Sequence, residues 1–285
     1  LYPGHRYGVP LAGAAEAVAE LGPADAREFH RRIFTARNKL FFATCDLKAA
    51  DILKRVEAGF GDWPAGGIPE PGPAPATPAP PDRRIAVVDR PDLVQAQILM
   101  GHEGISRTDP ERLAASLMNT VLGRGGFSSR LLNRVRAEEG LTYSVYSYFA
   151  MRRHPGPFAI STFTRVAEVR RVVDLLLSEL SRVRSDPPSE EEVAHAQSQR
   201  VGSFSLGLET SSAVTDSLVD LDVHALPEDS LDTFRGRIRA LTAEDTARAA
   251  RDLVHPERAA ILVVGPAEAI LPQLEDLGAV EIKEP

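Results

Sequence analysis

One cysteine, Cys45, is all that the 285 residues contain, so no internal disulfide can form and a multi-cysteine metal site is excluded. It follows the apolar run Leu40 to Thr44, which places it by expectation on a buried strand. Histidine is sparse and scattered: no two of His5, His30, His102, His154, His195, His224 and His255 lie within five positions. Neither HExxH nor HxxEH occurs, whereas zinc needs three or four ligands converging from fixed geometry. The "HEGIS" at 102–106 has the first two letters of a zinc helix but no second histidine, and it reads as the end of a strand. No GxSxG elbow is present to raise a serine nucleophile; "GFSSR" lacks the second glycine. No apolar run approaches the roughly 20 residues of a helical membrane span. No lysine or arginine block offers a phosphate-backbone footprint and the formal net charge is −7, so nucleic acid is not an expected partner. Without an initial methionine or a signal-like segment the compartment stays open, bacterial cytoplasm or periplasm. Abundant alanine, arginine and proline fit a GC-rich bacterial source.

Proline is concentrated instead of scarce at residues 64–83, "PAGGIPEPGPAPATPAPPDR", where fixed backbone dihedrals and missing donors rule out helix and sheet. This reads as an extended interdomain linker, with a short ligand motif for an adaptor domain as the rival reading. Before it, "ADAREFHRRIF" and "KAADILKRVEAGFG" have helical periodicity and "KLFFATC" reads as a buried strand. After it, strands are expected at "RIAVVD", "AQILMGHEG", "PFAISTFT" and "AAILVVG". Helices are expected from "TDPERL", over "VAEVRRVVDLLLSELSRV" and from the serine cap of "SEEEVAHAQSQR".

Residues 21–46 align without a gap on residues 241–266: Leu21 faces Leu241, Asp25 faces Asp245, Arg31 faces Arg251, and the apolar run Leu40 to Thr44 faces Ala260 to Val264. Helix, short connection, buried strand and turn coincide. Two homologous domains joined by the linker account for this. The offset of 220 would then start the first domain about 135 residues before Leu1.

Residues 123–149, "GRGGFSSRLLNRVRAEEGLTYSVYSYF", hold the densest chemistry. The glycine cluster could cradle an anion at the start of a helix, or could simply cap one helix at Gly123 and turn into the next. From Ser129 a helix is expected with Leu131, Leu132 and Val135 on its apolar face, ended by Gly140 in the left-handed region. From Leu141 the period becomes two, with Leu141, Tyr143, Val145, Ser147 and Phe149 on one face. Chain reversal at Gly140 can bring Arg136 near Tyr143. Their donors could hold a carbonyl or a developing oxyanion. Alternatively, Arg136 is a solvated arginine at a helix end and Tyr143 is half-buried in a sheet.

This stretch, together with "LYPGHRYGVPLAG", "VEAGFGDWPAG", "VDRPDLVQAQILMGHEGISRTDPERL" and "ILVVG", resembles the pitrilysin or insulinase family of inverted-zinc-motif peptidases, which includes the mitochondrial processing peptidase. The resemblance implies an α+β fold of two homologous domains, each a mainly antiparallel sheet covered by helices on one face. The first domain would be truncated (residues 1–63), the linker would span 64–83, and a complete second domain would occupy 84–285. It implies that Arg136 and Tyr143 contact substrate near the scissile carbonyl, and that Gly123, Gly125, Gly126, Phe127 and Ser128 belong to a substrate-holding loop. It further implies peptide or unfolded protein as substrate, bound as an extended strand at a sheet edge, and a homo- or heterodimeric assembly. The family's zinc ligands lie upstream of the segment that "HRYG" matches. Zinc is therefore expected in an upstream domain or a partner subunit, and none in this chain. The function so implied is that of the zinc-free, substrate-binding portion of a metallopeptidase, inactive by itself, with a non-catalytic scaffold subunit as the alternative.

Overall fold

The computed structural model describes residues 1–68 and 83–284, so most of the proline-rich linker lies outside the described residues. In chain order the elements begin with α1 (Ala15–Ala19), α2 (Pro23–Ile33) and α3 (Ala49–Phe60). Strands β1 (Arg84–Asp89) and β2 (Gln95–Glu103) follow, then α4 (Arg112–Asn119), α5 (Arg130–Leu132), β3 (Val145–Phe149) and β4 (Pro157–Arg165). The remainder is α6 (Val169–Ser185), α7 (Glu190–Leu206), α8 (Ser211–Val223), α9 (Ser230–Ala240), α10 (Ala243–Leu253), β5 (Ala260–Gly265), α11 (Ala267–Leu274) and β6 (Val280–Lys283). These elements gather into two compact units, one from residues 83–205 and 227–284, the other from 2–68 and 206–226.

The larger unit is built on a six-stranded mixed sheet of order β3-β4-β2-β5-β1-β6. The pairs β3–β4, β4–β2 and β2–β5 are antiparallel, while β1 is parallel to both β5 and β6. Strand alternation sends one row, Val145, Thr162, Ile98, Val263 and Val87, toward the helices, and the next row, Ser147, Ile160, Met100, Ile261 and Ile85, lies beside it. All ten are buried, against Met118, Leu122, Leu131, Val135, Val172, Leu176, Ala250 and Ile270 of the covering helices. The expected strands and helices of this unit therefore form, and the α+β, helix-backed sheet implied by the resemblance is the observed architecture. The cap of α7 also forms: Ser189 Oγ accepts from Glu192 N–H at 3.2 Å, and the Glu192 carboxylate accepts from Ser189 N–H at 2.9 Å.

Two expectations fail. Leu40 to Thr44 is not a buried strand: no strand is assigned there, Leu40 and Phe41 are 62% and 59% exposed, and Cys45 is exposed. Its counterpart β5 is stabilised by ladders to β1 on one side and β2 on the other, and Leu40 to Thr44 has no partner strand among the described residues. The second failure concerns Tyr143. The period-two pattern that begins at Leu141 puts Tyr143 on the face of Val145, but β3 starts only at Val145 and Tyr143 is 72% exposed. A local turn is the cause: the Thr142 hydroxyl accepts from Ser144 N–H at 3.2 Å, and the Leu141 carbonyl accepts from Thr164 Oγ1 at 2.7 Å, so the backbone leaves the ladder before β3 begins.

Candidate functional site

The candidate residues lie between α4 and β3. α4 does not stop at Gly123; it continues as a π-helical turn over Thr120–Arg124. Gly123 is buried, and a Cβ there would stand 2.3 Å from Ser147 Oγ and 2.8 Å from Ser147 N. The glycine thus lets the helix lie directly against the backbone of β3. One turn earlier Asn119, also buried, donates Nδ2–H to the Ser147 carbonyl at 3.1 Å and accepts from Ser147 Oγ at 2.6 Å. β3 is an edge strand, and at Ser147 its outward carbonyl is already occupied.

The loop that follows is fixed by the two serines. Ser128 Oγ donates to the Gly125 carbonyl at 2.9 Å, and Ser129 donates to the Gly126 carbonyl from both Oγ (2.7 Å) and N (2.9 Å). Gly125 is buried, its N–H on the Thr120 carbonyl at 2.9 Å. Gly126 has φ of +61°, a conformation that a side chain disfavours. Of the five loop residues, Gly123 and Gly125 are therefore packed inside the fold, and Gly126, Phe127 and Ser128 face solvent.

Beyond the loop, α5 runs on through a π-helical segment, Asn133–Glu138, with Leu131, Leu132 and Val135 buried as expected. Gly140, at φ +63°, closes it: Gly140 N–H meets the Arg136 carbonyl at 3.1 Å and Leu141 N–H the Val135 carbonyl at 3.0 Å. The reversal brings Arg136 and Tyr143 together. The Arg136 guanidinium carbon stands 4.4 Å from the Tyr143 ring centroid and 4.9 Å from that of Phe127, itself 73% exposed. Each such contact contributes about 0.5–1 kcal/mol at an exposed site. No carboxylate pairs with Arg136, and neither its N–H groups nor the Tyr143 hydroxyl has a hydrogen-bond partner among the described residues. A guanidinium held by its plane and free at its edge can donate to an in-plane carbonyl or carboxylate. Sequence reasoning finds Arg136, Tyr143 and Phe127 but not the groups that place them. Thr142 is readable from the T-x-S spacing of a side-chain turn; Asn119, from a lone amide in the apolar "SLMNT".

The neighbouring arginine is fully committed. Arg130 grips the Glu192 carboxylate through Nε (2.6 Å) and Nη2 (2.7 Å) and also donates to the Asp186 carbonyl at 2.7 Å. That guanidinium, reinforced by the Ser189 N–H and hydroxyl, holds the Glu192 carboxyl down at about 2. On the sheet face away from the helices, Tyr146, Ser161, Leu99, Leu262, Ala86 and Glu281 form one row across all six strands. Leu99, on a central strand, is 41% exposed and Tyr146 is 49% exposed.

The residues present do not fit a zinc ion. No group of three or more His, Cys, Asp or Glu that could hold a metal occurs among the described residues. The one histidine pair with adjacent rings among them, His102 and His255, at 5.3 Å between centroids, is already occupied: His102 Nε2 accepts from His255 backbone N–H at 3.0 Å, and Nδ1 donates to the Glu103 carbonyl at 2.7 Å. No helix among the described residues is long and apolar enough to cross a membrane.

Fold and site together define a helix-backed mixed sheet that displays an unpaired arginine and tyrosine beside a pinned glycine loop. The family model described as the peptidase M16 inactive domain matches residues 20–200, and the chain belongs to that family. It is 30% identical over 264 residues to an uncharacterized zinc protease of Streptomyces coelicolor, covering 91% of this chain and 57% of that protein. The crystal structure of a peptidase M16 inactive domain from Pseudomonas fluorescens superposes with a TM-score of 0.83 at 26% identity, covering 93% of this chain and 62% of that one. A chain of complex III2 from Candida albicans shares the fold, at a TM-score of 0.81 and 20% identity over 98% of this chain and 65% of its own. The chain thus spans little more than half the length of the Streptomyces relative. The pitrilysin-type resemblance read from the sequence is borne out.

Proposed function

We propose that this chain is the substrate-contacting, zinc-free portion of a pitrilysin-type metallopeptidase, and that Arg136 and Tyr143 serve an active site whose metal is carried by another half or subunit. The observation that carries this reading is the Arg136 guanidinium, stacked on two aromatic rings and without a carboxylate partner among the described residues. By contrast Arg130, Arg134, Arg170 and Arg248 are each paired with a carboxylate. An unpaired guanidinium beside a tyrosine hydroxyl is suited to hold a peptide carbonyl and to meet negative charge developing on it. The substrate would be a peptide or an unfolded segment, with the apolar row around Leu99 and Tyr146 as the adjoining wall. Residues 1–63 would be the C-terminal part of a first peptidase-like domain and 84–285 the second, a division supported by the internal repeat.

The test is reconstitution with the zinc-bearing half. Arg136→Ala and Tyr143→Phe should each lower turnover by about 10²-fold, the usual effect of removing one transition-state donor, while thermal unfolding stays within a degree or two of wild type. Turnover at the wild-type level in either variant would overturn this reading and leave the scaffold reading in its place.

A further inference from the structure

Phe127 is an apolar ring left largely in water, on a loop that the sequence spends two serines and three glycines to fix. Its ring faces the Arg136 guanidinium, at 4.9 Å. Hydroxyls of Ser128 and Ser129 consume the carbonyls of Gly125 and Gly126, the residues immediately before Phe127. Gly126 sets the turn with φ of +61°, and Gly125 is tied to the end of α4 through Thr120 and to α7 through Gln199 Nε2, 3.4 Å from its carbonyl. The loop backbone is thus anchored on two helices while its one large apolar side chain faces Arg136. An arginine has many rotamers, and an unpaired one on a helix end samples them; two rings on its planar surface select those that leave the N–H edge outward.

From this we infer that Phe127 is a positioning residue: with Tyr143 it holds the Arg136 guanidinium in one orientation, and the serine-pinned loop exists to hold Phe127. This rests on the functional reading above and assigns the loop a second task beyond contact with substrate. The same geometry predicts that the ring need only be planar and aromatic, so Phe127→Tyr and Phe127→Trp retain the effect while Phe127→Ala and Phe127→Leu lose it.

Two measurements test it. In the full chain alone, the Arg136 Nε–H resonance, assigned by its loss in Arg136→Lys, should show the upfield ring-current displacement of a stacked guanidinium. That displacement should shrink by about half in Phe127→Ala and return in Phe127→Tyr, with unfolding temperature unchanged because the residue is exposed. In the assembly with the zinc-bearing half, Phe127→Ala should lower kcat about tenfold with little change in KM. It should add nothing to Arg136→Ala in the double variant, as expected of residues acting as one unit. An Arg136 resonance that does not respond to Phe127→Ala, or a Phe127→Ala that raises KM and adds fully to Arg136→Ala, overturns the positioning role and makes Phe127 a direct substrate contact. A neutral Arg136→Ala sinks the functional reading itself, whatever Phe127 does, so the two failures are separable.

Discussion

His102 ties one side chain to the acid stability of the larger unit. Its ring is 2% exposed at the end of β2 and stacks beside Phe158, and both nitrogens are committed, Nε2 as acceptor and Nδ1 as donor. Burial pushes the imidazole down to about 4, and a second ring proton on Nε2 would face the His255 backbone N–H. Between that value and the ordinary 6.5, the unfolded chain takes up a proton that the folded one refuses, so stability falls as pH drops through this window. Urea unfolding should show a loss of about 2 kcal/mol between pH 7 and pH 5 from this group. His102→Asn, whose side-chain oxygen can take the same N–H, should flatten that slope; an unchanged slope would move the cause elsewhere. At this scale the sequence is partly legible. Arg136 and Tyr143 are readable as neighbours because Gly140 announces the reversal between them, and "HEGIS" is readable as a strand end. The stacking of Phe127 is not, because it depends on hydroxyl-to-carbonyl bonds within the loop that no periodicity records.

At the scale of the element, the junction of α4 and β3 decides where the site stands. Gly123 and Gly126 sit three residues apart and have different physical reasons for being glycine. Gly123→Ala drives a methyl into Ser147, including its backbone nitrogen, and should destabilise by about 3 kcal/mol as an overpacked contact. Gly126→Ala meets nothing within 4 Å and has only its positive φ against it, so about 1 kcal/mol is expected. Denaturant midpoints of the two variants check the contrast, and equal effects would refute it. The apolar faces of α4 and α5 and the alternation of β1, β2, β4 and β5 are legible because packing simply follows hydrophobic period. β3 begins later than its period-two pattern because Thr142 offers its own hydroxyl to the backbone, and a polar side chain that competes for a backbone N–H interrupts a ladder without disturbing the pattern.

For the whole molecule, the internal repeat is the informative feature. Its second copy, α10 and β5, is integrated into a sheet; its first copy, α2 and the segment Leu40 to Thr44, lies in a unit with few buried side chains. The apolar recess lined by Leu40, Phe41, Val56, Phe60 and Trp63 belongs to that unit. If the first copy completes a domain with strands supplied from elsewhere, Cys45 is a reporter of that completion. A maleimide should label it within minutes in the isolated chain and at least tenfold more slowly once the zinc-bearing half is added; equal rates would count against the two-domain proposal. The repeat is visible in the sequence, whereas the exposure of Leu40 to Thr44 is not, since a strand forms and is buried only with neighbours and a sequence displays only the segment's own residues.

The exposed run Leu40 to Thr44 has a consequence for handling the protein. It is an uncharged window of leucine, two phenylalanines, alanine and threonine, without proline, of the composition from which cross-β contacts nucleate. Arg37 and Lys39 on one side and Asp46 and Lys48 on the other are its nearby charged gatekeepers in the sequence. The sheet of the larger unit guards its own margins, with Asn119 of α4 bonded to the Ser147 carbonyl of β3 at one edge and the short, charge-bearing β6 at the other. Self-association of the isolated chain should therefore begin in the smaller unit, rise steeply with concentration, and set the practical limit on its solubility.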